Sequence, residues 1–200
     1  KAELFNITPV HILNKDDSET FAYLSRMPAE KRLYYTLAEY PRGLRLRLPG
    51  EFNKSNALAA ITAARALGIP YEAAKRAVER IDYIPGRLEV IQEKPFGVVV
   101  DYAHTPDALE KVYREFSAPR LICVLGAAGG GRDAWKRAEM GKIAAEYCEY
   151  IVLTDEDSYD ENPEEILAQI YSGFSQIANR KLQEVNSERI LDRREAIRTA

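Results

Sequence analysis

Between Phe96 and Arg137 the chain twice runs through a short apolar stretch, stops at a polar turn and continues into an amphipathic helix. Val98–Val100 is uniformly β-branched and ends at Asp101. That pattern predicts a strand buried on both faces whose carboxyl end delivers a carboxylate and, three residues on, His104. Leu121–Leu125 repeats the pattern and ends in Gly126 and a turn of Gly129, Gly130 and Gly131, after which Arg132 and Asp133 open a helix. Backbone N–H groups and a guanidinium would converge there, where an anion can sit. In an open α/β sheet, ligands bind at the carboxyl ends of the strands, so the two strand ends are expected to share one polar crevice.

The alternation continues to the end of the chain. Thr105 and Pro106 make an N-cap and first-turn pair, and Ala108, Leu109, Val112 and Phe116 give the following helix one apolar stripe. A helix over about 134–147 carries Met140, Ile143, Ala144 and Tyr147 at core spacing; Tyr150–Leu153 is a strand; Pro163–Ala178 is a helix with Ile166, Ile170, Phe174 and Ile177 inward. The second half is therefore expected to be a parallel α/β domain.

The first half is more mixed. Pro9–Leu13 predicts a strand ending at Asn14, and Asp16, Asp17 and Ser18 open a helix with Phe21 and Leu24 on its apolar face, ended by Pro28. Arg32–Leu37 and Leu44–Leu48 read as strands joined through Tyr40-Pro41-Arg42-Gly43 in a hairpin or edge element, the second alternating leucine with arginine. From Asn53 the period becomes helical, with Leu58, Ile61, Ala64 and Leu67 on one face. After Gly68 and Pro70 a second helix carries Ala74, Val78 and Ile81. Pro85-Gly86 marks the expected domain boundary, dividing 1–84 from 85–200, and Arg87–Gln92 and Phe96–Asp101 follow as strands.

Charge and composition narrow the function classes. Lys plus Arg at 28 against Asp plus Glu at 31 gives a net charge of −3, without the basic excess that a phosphate-backbone partner requires, so nucleic acid is not expected. Cys123 and Cys148 have no metal-ligand spacing and are expected to be reduced, buried residues of a cytoplasmic protein. No apolar run reaches the roughly 18 residues of a membrane span, and the start KAELF has no signal-peptide pattern. A chain beginning at Lys1 is expected to be a piece of a longer one.

Gly126–Gly131 is not a dinucleotide fingerprint, because Ala128 stands where G-x-G-x-x-G needs glycine, and no G-x-x-x-x-G-K-[ST] P-loop occurs. Taken alone, the turn is either a tight bend or a ligand cradle. The stretch Asp155, Glu156, Asp157, Asp160, Glu161, Glu164 and Glu165 is partly explained by capping of the next helix from Asn162, Pro163 and Glu165. It is no EF-hand loop, since Tyr159 takes a ligand position and Asp160 the glycine position. Asp155–Asp157 are left as contacts for a cationic substrate group or as a solvated loop. His104 has no serine or cysteine beside it, and a lone histidine near a helix start is more often a capping or packing residue than a catalyst. No metal site is expected. From the residues alone the chain is an anion-binding α/β domain of open chemistry.

Five stretches in one order carry a resemblance: ILNKDD at 12–17, LPGEFNKSNALAA at 48–60, PGRLEV at 85–90, DYAHTPDALEKV at 101–112 and GGGRDAWKR at 129–137. Together they resemble the Mur ligase family, and within it the MurE type. The resemblance implies the end of a P-loop-type central ATP-binding domain over 1–84, followed by a Rossmann-like parallel α/β C-terminal domain over 85–200. It implies a monomeric, cytoplasmic enzyme that uses ATP and Mg²⁺ to make an acyl phosphate on a UDP-MurNAc-dipeptide, which the amine of an amino acid attacks. By motif match Asn14, Asp17, Asn53 and Asn56 would hold the adenine and ribose side, Arg87 the phosphates and Asp101 the ribose hydroxyls. His104 would stand near the nucleotide and Arg132 would receive the α-carboxylate of the amino acid, these two being the expected catalytic pair. The resemblance places the P-loop, the carbamylated lysine and the UDP-binding domain before Lys1, and a G-K-G-H-E motif after Ala200, so this chain by itself is expected to be inactive. Its 17–48 segment is shorter than the family's usual sheet meander. Where enzymes adding meso-diaminopimelate carry D-N-P-R, this chain has Glu156, Asp157, Ser158 and Tyr159. That exchange makes Glu156, Asp157 and Tyr159 the expected substrate contacts, with Asp160 and Glu161 expected to add to the attraction of a side-chain ammonium, and favours an L-lysine-like amino acid over meso-diaminopimelate. The alternatives are another ligase of the Mur or folylpolyglutamate type, or a non-catalytic nucleotide-binding module.

Overall fold

A computed structural model describes residues 2–116, 120–176 and 185–200, and the chain divides into two compact units after Asp101. The first comprises α1 (Glu3–Ile7), β1 (Val10–Asn14), α2 (Ser18–Leu24), β2 (Lys31–Tyr35), α3 (Glu51–Ala66), α4 (Tyr71–Glu79), β3 (Glu89–Gln92) and β4 (Val98–Val100). β1 and β2 are parallel, with Asn14 opposite Tyr35, and β3 and β4 are antiparallel. Asp17 caps α2 by accepting from Thr20 N at 3.0 Å, as the Asp-Asp-Ser start predicts. On α3 the residues Asn53, Ala57, Leu58 and Ile61 are buried, whereas Leu67 forms the C-cap, past the last helical turn, and is exposed. Ile81 likewise lies past the end of α4 and is exposed.

Two expectations fail here. Leu44–Leu48 is not a strand: Leu44 is buried against Ile61 and Ala74, while Arg45 N donates to the Glu79 carboxylate at 3.0 Å and Leu44 O accepts from the Tyr40 hydroxyl. Side chains satisfy this backbone, so the alternating pattern packs one face on the helices without a strand neighbour. Nor is Val98–Val100 buried on both faces; β4 pairs with β3 in a two-stranded sheet, and Val100 is 45% exposed. A run of three valines states β preference and leaves the pairing partner open.

The second unit holds α5 (Pro106–Arg114), β5 (Ile122–Leu125), α6 (Trp135–Tyr147), β6 (Tyr150–Leu153), α7 (Pro163–Ser172), β7 (Asn186–Arg189) and α8 (Arg193–Thr199). Its sheet is parallel throughout, in the order β5-β6-β7. Ile151, Val152 and Leu153 on central β6 are fully buried, and each such side chain contributes about 1.5–3 kcal/mol by leaving water. Met140, Ile143, Ala144, Ile166, Ile170 and Phe174 fill the same core, while Tyr113 occupies a buried place on α5 that the predicted stripe of Ala108, Leu109, Val112 and Phe116 passes over. Helix α6 approaches α7 and the turn that follows it closely at two glycines. A Cβ on Gly141 would lie 1.9 Å from Ile170 O, and one on Gly173 1.8 Å from Ala138 O. After Ser172 the chain tightens into a 3-10 turn, Gly173–Gln176. The predicted Ile177 and Ala178 lie outside the described residues. Cys123 and Cys148 are both free and buried.

Candidate functional site

Strands β5, β6 and β7 end at one edge, with Leu125, Leu153 and Arg189 in register, so the segments that follow them lie together. The glycine turn after β5 packs on the acidic loop after β6. Gly129 N donates to Asp157 O at 2.8 Å, and a Cβ at Gly129 would sit 2.2 Å from Ser158 O, so only glycine fits. Gly130 and Gly131 both have φ of 69°, in the left-handed region that glycine alone enters without cost.

The turn is a cradle for an anion, and the anion is the protein's own. Gly131 N donates to Glu161 Oε1 at 3.2 Å, and the same carboxylate meets Arg137, whose Nη1 lies 2.8 Å from Oε2 and Nη2 3.2 Å from Oε1. Arg137 is fully buried; its Nη1 also donates to Gln169 Oε1 at 2.7 Å and its Nη2 to Ala128 O at 3.0 Å. The Arg137 guanidinium, with the backbone N–H of Gly131 after it, holds the Glu161 carboxyl below the usual carboxylate range. Glu161 is therefore not an open contact for a substrate cation, which corrects its expected place in the acidic stretch.

A third segment closes the edge. Arg193, the first residue of α8, donates from Nε at 2.9 Å and from Nη2 at 2.7 Å to the carbonyl of Asp155, and the Thr154 hydroxyl donates to Leu191 O at 3.2 Å. Between them lies a crevice of about 560 Å³ lined by Asp155, Glu156, Asp157, Leu191, Asp192 and Arg193. Of the expected substrate contacts, Glu156 and Asp157 line it. Tyr159 does not; it is exposed, has φ of 54°, and places its ring against Gly130, where a Cβ would come within 3.0 Å. Arg132 is exposed on the turn, immediately after Gly131. His104 is exposed as well, its Nδ1 2.9 Å from Tyr102 O and its ring edge-on to Tyr102 at 5.1 Å.

The expected nucleotide residues all but one, His104, lie in the first unit. Asn14 ends β1 and its Oδ1 accepts from Asp16 N at 3.0 Å, while Asp16 in turn accepts from Leu37 N and the Thr36 hydroxyl. Opposite Asn14, Tyr35 hydrogen-bonds Ser55 on α3, the helix that carries Asn53 and Asn56. Asn53 is buried, donates to Pro49 O at 2.7 Å and accepts from Asn56 Nδ2 at 3.4 Å, so its amide holds the Pro49-Gly50 entry to α3. Asp101 accepts from Leu88 N at 2.8 Å, steadying a turn in which Leu88 has φ of 45°. Arg87 on that turn faces a cavity of about 380 Å³ shared with Arg47, Asp82, Tyr83 and Glu89.

Arg137 and Arg193 hold the loops of this site together, and the sequence reading passed over both. Arg137 could have been found: it precedes Met140 by three residues and Ala144 by seven, on the same buried stripe. Arg193 follows a strand without an apolar run, Asn186–Arg189, and had no signal.

Fold and site define a parallel α/β domain with a crevice at the carboxyl ends of its strands, beside a glycine turn, where such folds bind ligands. Residues 86–200 match the model of a family described as Mur ligase, glutamate ligase domain. The chain belongs to the Mur ligase family. It is 42% identical over 161 residues to UDP-N-acetylmuramoyl-L-alanyl-D-glutamate--2,6-diaminopimelate ligase of Syntrophomonas wolfei, covering 78% of this chain and 32% of that protein. To UDP-N-acetylmuramyl-tripeptide synthetase of Roseiflexus sp. it is 44% identical over 140 residues, covering 68% and 27%. Among solved structures, folylpolyglutamate synthase of Mycobacterium tuberculosis complexed with ADP is 18% identical, covers 100% of this chain and 51% of that one, and has a TM-score of 0.73, a likeness of fold. The chain spans about a third of the length of the curated relatives it matches.

Proposed function

We propose that this chain belongs to a MurE-type ligase that uses ATP to activate the carboxylate of a UDP-MurNAc-dipeptide as an acyl phosphate and joins an amino acid to it, in peptidoglycan synthesis. The observation that carries this reading is Arg132: the amides of its glycine turn are filled by Glu161, and the guanidinium is left exposed next to the acidic loop, a planar donor for an α-carboxylate. The names of the relatives support the reaction. Attack by the amine forms the C–N bond and expels phosphate, a step that needs position and charge neutralisation and no enzyme nucleophile.

In this reading residues 1–84 finish the central domain and 85–200 form the C-terminal domain. Arg87 would hold ATP phosphates from its cavity, and Asn14, Asp17, Asn53, Asn56 and Asp101 would hold adenosine, with His104 near it. Mg²⁺ would neutralise phosphoryl charge; among the described residues no group of three His, Cys, Asp or Glu is arranged to hold a metal. The protein would work as a cytoplasmic monomer, and no helix among the described residues is long and apolar enough to cross a membrane.

The amino acid is L-lysine or a similar diamino acid without a distal carboxylate. Asp155, Glu156, Asp157 and Asp192 line the crevice, and its one guanidinium, Arg193, is engaged by the Asp155 carbonyl. Such a lining attracts an ammonium and repels a second carboxylate, while Tyr159 offers at most one neutral hydrogen bond. The second reading, meso-diaminopimelate, is favoured by names among the relatives. Amino-acid-dependent phosphate release by the whole protein, with UDP-MurNAc-dipeptide and lysine, ornithine, alanine or meso-diaminopimelate at equal concentration, decides. The expected result is a kcat/KM for lysine at least about tenfold above that for meso-diaminopimelate, as one lost charge-assisted contact implies. The reverse order refutes the lysine assignment, and no release with any amino acid refutes the ligase reading.

A further inference from the structure

We propose that Glu161 and Arg137 are positioning residues for Arg132: the Glu161 carboxylate occupies the amide cradle of the glycine turn as a built-in anion, and Arg137 locks it there from the core. The inference rests on the ligase reading above and adds to it how the amino-acid anchor is held.

Three facts join in this device. Gly129, Gly130 and Gly131 give the turn its shape, but two successive residues with φ of 69° have no regular backbone partners of their own, so the geometry needs an external acceptor. Glu161 supplies it at Gly131 N, one residue before Arg132. The guanidinium of Arg137 then bridges that carboxylate to Ala128 O, on the far side of the same turn, and to Gln169 on α7. The result is a ring running Ala128 O, Arg137, Glu161, Gly131 N, closed through the glycines, with Arg132 projecting from its rim. A free anion at this place, the usual use of such a turn, would compete with an internal carboxylate already paired to a buried cation. The substrate carboxylate is thereby directed to Arg132 and away from the amides.

A brace of this kind makes Glu161 and Arg132 act as one unit, so their effects on amino-acid use must be non-additive. The test is a double-mutant cycle in the whole protein, reading KM for the amino acid, KM for ATP and kcat by phosphate release, with thermal unfolding of each variant as a control. Glu161→Ala is expected to raise the amino-acid KM about tenfold while leaving the ATP KM within about twofold, and to have almost no further effect once Arg132→Ala is present. Glu161→Gln has the same shape and keeps one oxygen for Gly131 N, so it should fold and recover most of the loss. If the two substitutions multiply, or if Glu161→Gln and Glu161→Ala lower kcat and affect both substrates alike, Glu161 serves stability alone and the proposal is overturned. If Arg132→Ala by itself raises the KM for ATP and spares the amino acid, the reading of Arg132 falls first and the proposal with it.

Discussion

Replacing Arg137 by leucine removes the one fully buried guanidinium found among the described residues, and the structure sets the size of the effect. Two of its partners are uncharged acceptors, Gln169 Oε1 at 2.7 Å and Ala128 O at 3.0 Å, and a hydrogen bond from a charged donor contributes about 1.5–3 kcal/mol. Together they give a loss of about 3–6 kcal/mol, which overlaps the roughly 3–5 kcal/mol for taking one partner from a buried charged network. The Glu161 carboxylate, with its side chain 32% exposed, is left out of that figure because water screens it. For a unit of about 100 residues with an m-value of about 1.5 kcal/mol/M, the urea midpoint should fall by about 2–4 M, a large part of its stability. The assay is urea unfolding of the 200-residue chain followed by far-UV circular dichroism. Arg137→Lys should lose about half as much, since the ammonium keeps the charge without the fork. A midpoint for Arg137→Leu within about 0.3 M of the parent would refute the reasoning, because the bonds counted here would then be matched by water in the folded state.

Two other measurements follow from the same contacts. Gly129→Ala places a Cβ 2.2 Å from Ser158 O, a backbone atom that moves only with its loop, so a destabilisation of about 1–3 kcal/mol and weakened amino-acid use are expected together; an unaltered variant on both counts would mean that the two loops are less closely packed. Glu161 titrates below an ordinary carboxyl when folded, so its contribution to stability is complete above the unfolded value of about 4.3 and is lost as pH falls through the lower folded value. The stability gap between the parent and Glu161→Gln, followed by urea unfolding from about pH 7 to pH 3, should therefore shrink in acid, and a gap that widens would reverse the assignment.

How far these features could be read from residues alone depended on whether their partners were local. The strand-helix alternation after Thr105 was legible because each element states its own period, and the caps at Thr105 and Asn162 lie beside the helices they start. Leu44–Leu48 was misread because period-2 alternation reports which face is buried and says nothing of the backbone partner, here Glu79, thirty-four residues from Arg45. β7 was missed for the opposite reason: an edge strand of Asn, Ser, Glu and Arg carries no apolar signal, and its pairing with β6 is decided by the buried strand beside it. The glycine turn lay between these cases. Its residues announced an anion site, and only the fold could show that an acid thirty residues on fills it.

That filling changes how the acidic loop is to be understood. Counted along the chain, Asp155 to Glu161 is one patch of negative charge. In the structure it has three parts with different partners. Glu161 is neutralised by Arg137 and belongs to the glycine turn; the carbonyl of Asp155 holds Arg193, fixing the loop to α8; Glu156 and Asp157, between these two anchors, face the crevice. Anchoring at both ends holds the middle of the loop through atoms other than the Glu156 and Asp157 carboxylates. A loop tied down through Glu156 or Asp157 instead would have been equally rigid and nearly neutral toward a substrate ammonium. In the lysine reading, preference for an ammonium over a second carboxylate would follow from which atoms of the loop do the holding, a main-chain oxygen at one end and the Arg137–Glu161 pair at the other.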